Sequence, residues 1–328
     1  MNIAILGAGA WGTALAISLS SRHRVTLWAR DAEQISAMSC GRFNQRYLPD
    51  ISLPQELQLA SNLDSALDQA DLILLMVPIA GLRPTLQRIE EMAVKIPVVW
   101  ACKGFEAGSG LLPHQVVAET LEQNSLCGVL SGPSFALEVA RGLPTALTLA
   151  SADGEFARRT AQGLHHARLR IYSSTDVTGV EVGGAVKNVL AIAAGIADGL
   201  GFGHNARAAL ITRGLAEMTR LGLKLGGKAE TLGGLSGAGD LILTCTGDLS
   251  RNRRVGMLLA QQQALPDILR QLGHVAEGVY TVREVHRMAQ RMAVDMPISA
   301  AVYRILYEQI PAASAVEALL SRSPNTEF

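Results

Sequence analysis

Residues 2–12, NIAILGAGAWG, contain a short apolar run followed by three glycines in the spacing G-x-G-x-x-G. The apolar run predicts a buried strand, and the residues after it, AWGTALAISLSS, predict a helix. In this arrangement Gly7 allows a tight turn, Gly9 lets the backbone approach a pyrophosphate, and Gly12 lets the helix pack on the strand. The helix N-terminus also offers N–H groups to an anion. The stretch therefore predicts a dinucleotide-binding βα unit, the alternative being a purely structural glycine-rich turn.

The first half of the chain repeats this alternation of apolar runs and helical patterns. Helical stretches such as residues 11–21, 63–69 and 111–123 lie between many of the runs. Such alternation favours a parallel sheet covered by helices on both faces. The predicted strands are NIAIL (2–6), RVTLW (24–28), LILLMV (72–77), PVVWA (97–101), CGVL (127–130), TALTLA (145–150) and RLRIYS (168–173).

The strand pattern stops near residue 178, and the pattern beyond it is helical. We expect an α/β protein with two domains: an N-terminal Rossmann-type doubly wound sheet in residues 1–178, followed by an all-helical C-terminal domain in residues 179–328. The helical stretches are residues 206–226, 254–263, 279–292, 299–309 and 313–322.

Composition excludes several classes of partner. The 328 residues hold 29 basic and 29 acidic side chains, and only 4 % are aromatic, which argues against nucleic acid and anionic membranes. Four cysteines without a C-x-x-C pair and seven scattered histidines predict neither a disulfide framework nor a metal site. The longest apolar stretch, residues 189–197, is too short to span a bilayer, and no basic segment precedes the first strand, so we expect a cytoplasmic protein.

The end of the second predicted strand bears on the choice of dinucleotide. An acid here would hold the ribose 2′-hydroxyl of NAD, whereas an arginine would accommodate the 2′-phosphate of NADP. Arg30 precedes Asp31, and a guanidinium can bind phosphate bidentately. We expect NADP(H) with NAD(H) tolerated, unless Arg30 is only solvated.

Two loops that follow predicted strands are suited to a ligand. Lys103 lies just beyond the strand at 97–101, where open α/β sheets bind ligands, although it could be a surface lysine. Gly132 and Pro133 shape the loop after the strand at 127–130, and Ser134 is expected to cap the next helix and help present N–H groups to an anion. Ser134 could equally be an N-cap and nothing more.

The second half offers three further polar segments. Asp240 is expected in a glycine loop before an apolar run, and it could instead cap a helix. The consecutive residues Ser250, Arg251 and Asn252 suit a pocket for a phosphate and a hydroxyl, the alternatives being a solvated basic turn or an RNA contact. Glu277 is expected at a helix start.

Lys187 lies in an apolar, glycine-rich stretch, EVGGAVKNVLAIAAGIADGLG (181–201), whose neighbours at helical spacing are uncharged. Burial disfavours the ammonium, so we expect a lowered pKa for this lysine, with Asp240 orienting it. Gly183 and Gly184 are expected to leave space for a substrate or cofactor. The alternative is that Lys187 snorkels to solvent.

Together these segments resemble bacterial-type NAD(P)-dependent glycerol-3-phosphate dehydrogenase over essentially the full length. The resemblance rests on the segments GAGAWGTALA, VPIAGLR, ACKG, SGPSFALEVARGLPTA, GGAVKNVLAIAAGIADGLGFG, NARAALITRGLAEM, GAGDLILTCT, SRNRR and EGVYT. Cys102 stands where threonine is more usual. That family reduces dihydroxyacetone phosphate to sn-glycerol 3-phosphate, a phospholipid precursor, and also runs in reverse.

The resemblance implies roles for individual residues and a homodimer. Lys187 is the implied proton donor and acceptor, with Lys103 and Asp240 beside it in catalysis. Implied cofactor contacts are Ala10, Trp11, Arg30, Lys103, Ala136, Arg251, Val275 and Glu277, in addition to the three glycines. Implied substrate contacts are Lys103, Gly132, Ser134, Lys187, Asp240, Ser250, Arg251 and Asn252.

Two rival interpretations remain. One is a dehydrogenase of 3-hydroxy acids such as 6-phosphogluconate, in which the lysine and asparagine are further apart than Lys187 and Asn188. The other is a dinucleotide sensor without catalysis, which would need neither a buried lysine nor a phosphate pocket. The sequence leaves open the ratio of NADPH to NADH use, feedback by the product, and which residues contact phosphate rather than hydroxyls.

Overall fold

A computed structural model describes residues 1–122, 125–272 and 276–321. The chain forms two compact units. The first consists of Met1–Lys103 and Leu111–Glu181, and the second of Gly104–Gly110 and the chain from Val182 onward.

The first unit is built on a sheet of eight strands with helices between them. The predicted strands are all present, with ends shifted by a residue or more in several cases. The elements are β1 (Asn2–Leu6), α1 (Ala10–Ser20), β2 (Arg24–Trp28), α2 (Ala32–Gly41), β3 (Phe43–Asn44), β4 (Leu48–Ser52), β5 (Gln58–Ala60), α3 (Leu63–Leu67), β6 (Leu72–Leu75), α4 (Ile79–Glu91), β7 (Val98–Trp100), α5 (Pro113–Thr120), β8 (Cys127–Ser131), α6 (Ala136–Ala140), β9 (Thr145–Ala150), α7 (Gly154–Leu164) and β10 (Leu169–Ser174).

The strand order is β10-β9-β8-β7-β6-β1-β2-β5, while β3 and β4 form a separate antiparallel pair that the sequence did not predict. All neighbours from β8 to β5 are parallel. The expected parallel sheet is confirmed except at one place, where β8 and β9 are antiparallel. β10 is parallel to β9.

Alternate strand residues supply the two faces of this sheet. In β1, Ile3 and Ile5 belong to one core cluster, and Ala4 and Leu6 to the other. Both faces are buried, which explains why the strands read as continuous apolar runs rather than as an alternating pattern.

Within the described residues, the regular structure of the second unit is helical. Its first helix, α8 (Val177–Gly199), begins in the first unit, and the predicted domain boundary at residue 178 lies inside it. The others are α9 (Gly203–Lys224), α10 (Ala229–Leu232), a π-helical turn (Leu235–Gly239), α11 (Asp240–Thr246), α12 (Arg251–Ala260), α13 (Leu265–Leu272), α14 (Glu277–Arg291), α15 (Pro297–Tyr307) and α16 (Ala312–Leu320).

Helix α8 corrects the expectation that no stretch is long enough to span a bilayer. Its 23 residues are long enough and apolar enough to cross a membrane, with a mean hydropathy of 1.5 over a stretch of 18 residues. The whole stretch is buried inside the protein, as is typical of the core helix of a globular protein.

Candidate active site

The glycine loop after β1 has the geometry that its sequence predicts. Gly7 has φ +123°, and a Cβ there would lie 2.5 Å from the carbonyl oxygen of Met76. A Cβ on Gly12 would overlap the carbonyl oxygen of Gly7, so this glycine is needed for helix α1 to pack closely. A Cβ on Gly9 would meet nothing within 4 Å, which leaves the backbone open to a ligand.

The start of α1 fits an anionic group. The N-cap residue is Gly9, and no side chain caps the first turn, which holds Ala10 and Trp11. Backbone N–H groups at such an end attract phosphate through hydrogen bonding and the helix dipole. The loop and helix therefore fit the pyrophosphate of a dinucleotide.

Trp11 and Ser134 are hydrogen-bonded to each other, which the sequence did not predict. The indole N–H of Trp11 donates to Oγ of Ser134 at 3.0 Å and to its carbonyl oxygen at 3.2 Å. Ser134 donates in turn to the carbonyl oxygen of Gly132 at 3.1 Å. The prediction that Ser134 caps the next helix is wrong: the N-cap of α6 is Phe135, without a side-chain hydrogen bond.

At the end of β2 the acid and the arginine have different surroundings. Oδ1 of Asp31 accepts hydrogen bonds from the backbone N–H groups of Glu33 and Gln34, both at 3.1 Å, and so caps α2. Arg30 is exposed. Asp31 therefore serves as a helix cap, whereas the side chain of Arg30 lies at the surface.

Lys103, Gly132 and the glycine loop lie beyond the ends of parallel strands. Lys103 follows β7 by three residues and is half-buried, and Gly132 follows β8 directly with φ +138°. Because β1, β6, β7 and β8 run parallel, their carboxyl ends form one edge, where open α/β sheets bind ligands. Ala136 begins the short helix α6 beyond that edge.

Lys187 is held inside the second unit by an ion pair. Its Nζ lies 2.5 Å from Oδ1 of Asp240 and donates to Oγ1 of Thr244 at 3.0 Å. The side chains of Lys187 and Asp240 are 9 % and 2 % exposed, so the lysine does not snorkel to solvent. Thr244 was missed by the sequence analysis, although it lies one helical turn after Asp240 and donates to that residue's carbonyl oxygen at 2.6 Å.

The residues before Asp240 form a π-helical turn, so the expected glycine loop is wrong in its conformation. Asp240 begins α11, and its carboxylate binds Lys187 rather than capping the helix. The turn packs against α8: a Cβ on Gly183 would lie 2.5 Å from the carbonyl oxygen of Ser236. Gly183 therefore makes room for backbone, and the expectation that it leaves space for a ligand is wrong.

A carboxamide bridge joins three helices beside this ion pair. Nδ2 of Asn252 donates to Oδ1 of Asn188 at 3.0 Å, and Oδ1 of Asn252 accepts from the backbone N–H of Gly278 at 3.2 Å. The bridge links the residue after Lys187 to the starts of α12 and α14. Asn188 was missed as a site residue; its signal was its position next to Lys187.

The segment from 250 to 254 begins α12. Ser250 is the N-cap, its Oγ accepting from the backbone N–H of Arg253 at 3.3 Å, and Arg251 is the exposed first residue of the helix. Nε of Arg253 donates to Oδ2 of Asp198 at 2.7 Å, which fixes this end of α12 to α8. Glu277 begins α14 as expected, and Val275 lies outside the described residues.

Cys245 lies close to the charges of Lys187, Asp240 and Asp198. Burial raises the pKa of its thiol to about 12, outweighing the attraction of the Lys187 ammonium. The thiol therefore stays protonated and unreactive beside the lysine.

Comparisons with known proteins agree with this geometry. The N-terminal model of NAD-dependent glycerol-3-phosphate dehydrogenase matches residues 2–157, and the C-terminal model matches residues 176–317. A glycerol-3-phosphate dehydrogenase (NAD(P)+) of Nitrosomonas eutropha is 63 % identical, with 100 % of this chain and 99 % of the relative covered. The chain belongs to the NAD-dependent glycerol-3-phosphate dehydrogenase family.

Two further members of this family extend the match. The enzyme of the same name from Nitrosospira multiformis is 60 % identical, with both chains covered completely. The crystal structure of glycerol-3-phosphate dehydrogenase from Coxiella burnetii is 44 % identical and superposes with a TM-score of 0.93, covering 98 % of this chain and 99 % of that one. The resemblance, the Rossmann-like fold with a helical C-terminal part, the oxidoreductase class and the use of NAD(P) are confirmed.

Proposed function

We propose that this chain catalyses the reversible reduction of dihydroxyacetone phosphate to sn-glycerol 3-phosphate, with NADPH or NADH as reductant. The observation that carries the proposal is the buried ammonium of Lys187, held by Asp240 and Thr244 in a family of dehydrogenases. Relatives that bear the name of this activity are 63 % and 60 % identical over the full chain.

The first unit binds the dinucleotide in this proposal. Its glycine loop and the N-terminus of α1 hold the pyrophosphate, and Arg30 holds the 2′-phosphate of NADP. Bound in this way, the reduced nicotinamide supplies the hydride that the carbonyl carbon of the substrate accepts. Further contacts proposed from the family resemblance are Ala10, Trp11, Lys103, Ala136, Arg251, Val275 and Glu277.

Lys187 is the proton donor and acceptor of the proposed reaction. Addition of hydride to a ketone produces an alkoxide oxygen, and the ammonium of Lys187 stabilises that charge and donates its proton to it. In the reverse direction the neutral amine accepts the proton of the alcohol. Asp240 and Thr244 fix the position of Nζ, and their hydrogen bonds offset part of the cost of burying an ammonium.

Ser250, Arg251 and Asn252 hold the substrate phosphate and a hydroxyl. Arg251 is exposed at the first turn of α12, where a guanidinium and the helix N-terminus both favour an anion. Lys103, Gly132 and Ser134 are proposed as further substrate contacts. Binding energy from the phosphate orients the carbonyl, which lies several bonds away.

The wider setting is also part of the proposal. The product would supply phospholipid synthesis in the cytoplasm, and the protein would act as a homodimer without nucleic acid or membrane partners. The balanced charge of 29 basic and 29 acidic residues supports the absence of polyanionic partners. The homodimer rests on the family resemblance.

The test is a spectrophotometric assay with purified protein. Dihydroxyacetone phosphate is added with NADPH and, separately, with NADH, and the loss of reduced-nicotinamide absorbance is followed. Free dihydroxyacetone is the matched control, since it has the same ketone without the phosphate. We expect oxidation that requires the phosphate.

Absence of oxidation, in folded protein that binds NADPH, would contradict the proposal. Oxidation of NADPH by a 3-oxo acid instead would favour the hydroxy-acid dehydrogenase. Binding of NADPH without turnover of any of these substrates would favour the sensor.

A further inference from the structure

A buried carboxyl group in the first unit has no part in the site described above. Oε1 of Glu181 accepts hydrogen bonds from the indole N–H of Trp100 at 2.8 Å and from the backbone N–H of His114 at 2.9 Å. Oε2 lies 2.6 Å from Nδ1 of the same histidine. The Glu181 side chain is fully buried, whereas that of His114 is 31 % exposed.

The two partners of Glu181 lie at the two ends of one loop. Trp100 is the last residue of β7, and His114 is the second residue of α5. Residues 101–112 between these elements contain neither helix nor strand, and they include Lys103. The carboxyl group of Glu181 therefore binds both the residue before this loop, Trp100, and a residue after it, His114.

The backbone of this loop is entropically costly to hold in one conformation. Three of its glycines, Gly104, Gly108 and Gly110, have φ values of +113°, +88° and +68°. Glycines with positive φ lose much conformational freedom on ordering, so a loop that contains three of them is held in one conformation only at considerable entropic cost. Fixing the two ends lowers the number of conformations open to Lys103, three residues beyond Trp100.

A carboxyl group is a costly side chain to bury if it serves only as structural support. Burial raises the pKa of Glu181, and the hydrogen bonds from His114 and Trp100 oppose that shift only in part. A neutral side chain would fill the same space without this cost. The carboxyl offers two acceptor oxygens in one plane, which can bind an indole, a backbone N–H and an imidazole together.

We propose that Glu181 is a positioning residue for Lys103, which it holds in place by fixing the two ends of the loop through Trp100 and His114. The inference rests on the proposed function in one respect, because that function places Lys103 on the substrate and the cofactor. Glu181 itself touches neither, and its effect on the reaction passes through the loop.

A double-mutant cycle tests this route. The variants are Glu181→Gln, Lys103→Ala and the double variant, and the readouts are kcat and KM for dihydroxyacetone phosphate, the dissociation constant of NADPH, and the melting temperature. We expect Glu181→Gln to lower kcat/KM by about 10- to 100-fold, as displacement of a positioned group does. In the Lys103→Ala background, Glu181→Gln should lower kcat/KM by about twofold or less. A change of this size lies within the usual additivity error of a few tenths of a kcal/mol.

The matched control is Glu217→Gln. Glu217 is also a buried carboxyl, accepting from the backbone N–H groups of Ile298 and Ser299 at 2.5 and 3.1 Å, where it anchors α15 far along the chain from Lys103. It should lower the melting temperature while leaving kcat/KM unchanged. His114→Ala is a milder variant that removes one partner and should give a smaller loss with the same dependence on Lys103.

An equal loss from Glu181→Gln with and without Lys103 would overturn the proposal, because the carboxyl would then act independently of that residue. A loss of melting temperature alone would do the same. If the wild-type protein does not oxidise NADPH with dihydroxyacetone phosphate, the proposed function fails by itself. In that case the four proteins of the cycle are compared by their dissociation constants for NADPH, because Lys103 is also proposed as a cofactor contact.

Discussion

Replacement of Asp240 by asparagine should leave the ammonium of Lys187 buried in the second unit without its carboxylate partner. The two groups are 2.5 Å apart, and their side chains are 9 % and 2 % exposed, so water cannot replace the lost carboxylate. Removal of one partner from a buried ion pair costs about 3–5 kcal/mol of unfolding free energy. Thr244 continues to accept from Nζ, which places the expected cost of Asp240→Asn at about 3 kcal/mol, the lower end of that range.

Lys187→Met makes the complementary change, since it leaves the Asp240 carboxylate buried without its cation. We expect a similar loss of about 3–5 kcal/mol for this variant. The double variant Lys187→Met/Asp240→Asn removes both charges at once. Its free energy of unfolding should lie within about 2 kcal/mol of the wild type, because a buried pair replaced by neutral groups of similar volume is often nearly neutral.

Equilibrium unfolding in urea at pH 7 measures these differences as changes in midpoint at constant slope. The rate of NADPH oxidation with dihydroxyacetone phosphate is measured on the same samples. Stability and activity should separate: the double variant recovers stability and remains inactive, while Lys187→Met still binds NADPH. A double variant as unstable as the sum of its single variants would refute the ion-pair reasoning, and substantial turnover by Lys187→Met would remove this lysine from proton transfer.

Three other predictions follow from the same geometry. Arg30→Ala should weaken NADPH binding by about 10- to 100-fold, the worth of a hydrogen bond to a charged group, and change NADH binding little; equal losses in fluorescence titrations would count against Arg30 as the phosphate contact. Asp198→Asn removes one of the two carboxylates that hold Arg253, the other being Asp248, and should raise KM for dihydroxyacetone phosphate by about tenfold with kcat nearly unchanged. A fall in kcat alone would contradict this. Exposed Cys40 should react with iodoacetamide at pH 8 and Cys245 should not, since a pKa of about 12 and burial keep that thiol protonated; mass spectrometry showing equal labelling would refute this.

Most strands of the first unit were predictable because they are largely buried and appear as uninterrupted apolar runs. The short strands β3, β4 and β5 were not predicted, because few of their residues are buried. The direction of β9 was not, because a strand buried on both faces has the same pattern in parallel and antiparallel pairs. The connection from β8 to β9 contains only the five-residue helix α6, which gave no strong signal either way. The direction of a strand depends on whether the chain crosses from one end of the sheet to the other before it enters the strand. Hydrophobic periodicity does not report this crossing.

At the site, the pairing of Lys187 with Asp240 was predictable, whereas the partner of Ser134 and the conformation before Asp240 were not. Ser134 has the composition of an N-cap, yet its hydroxyl bonds the indole of Trp11, which is 123 positions away in the sequence. Asp240 follows glycines that are typical of a loop, yet these residues form a π-helical turn. In both cases a local propensity is overridden by a contact with a distant segment, which a single sequence cannot reveal.

The glycines of α8 explain why Lys187 has its counter-ion on another segment. A Cβ on Gly183 would strike the carbonyl of Ser236 in the π-helical turn, and a Cβ on Gly195 would overlap the carbonyl of Arg253 in α12. Each glycine costs roughly 1 kcal/mol of helix propensity relative to alanine, and in return it admits the backbone of a neighbouring segment. The turn that Gly183 admits is followed directly by Asp240, 53 residues beyond Lys187. An acid on α8 itself would lie beside the lysine along the helix surface, whereas an acid on a second segment holds Nζ from outside α8, where both side chains are buried.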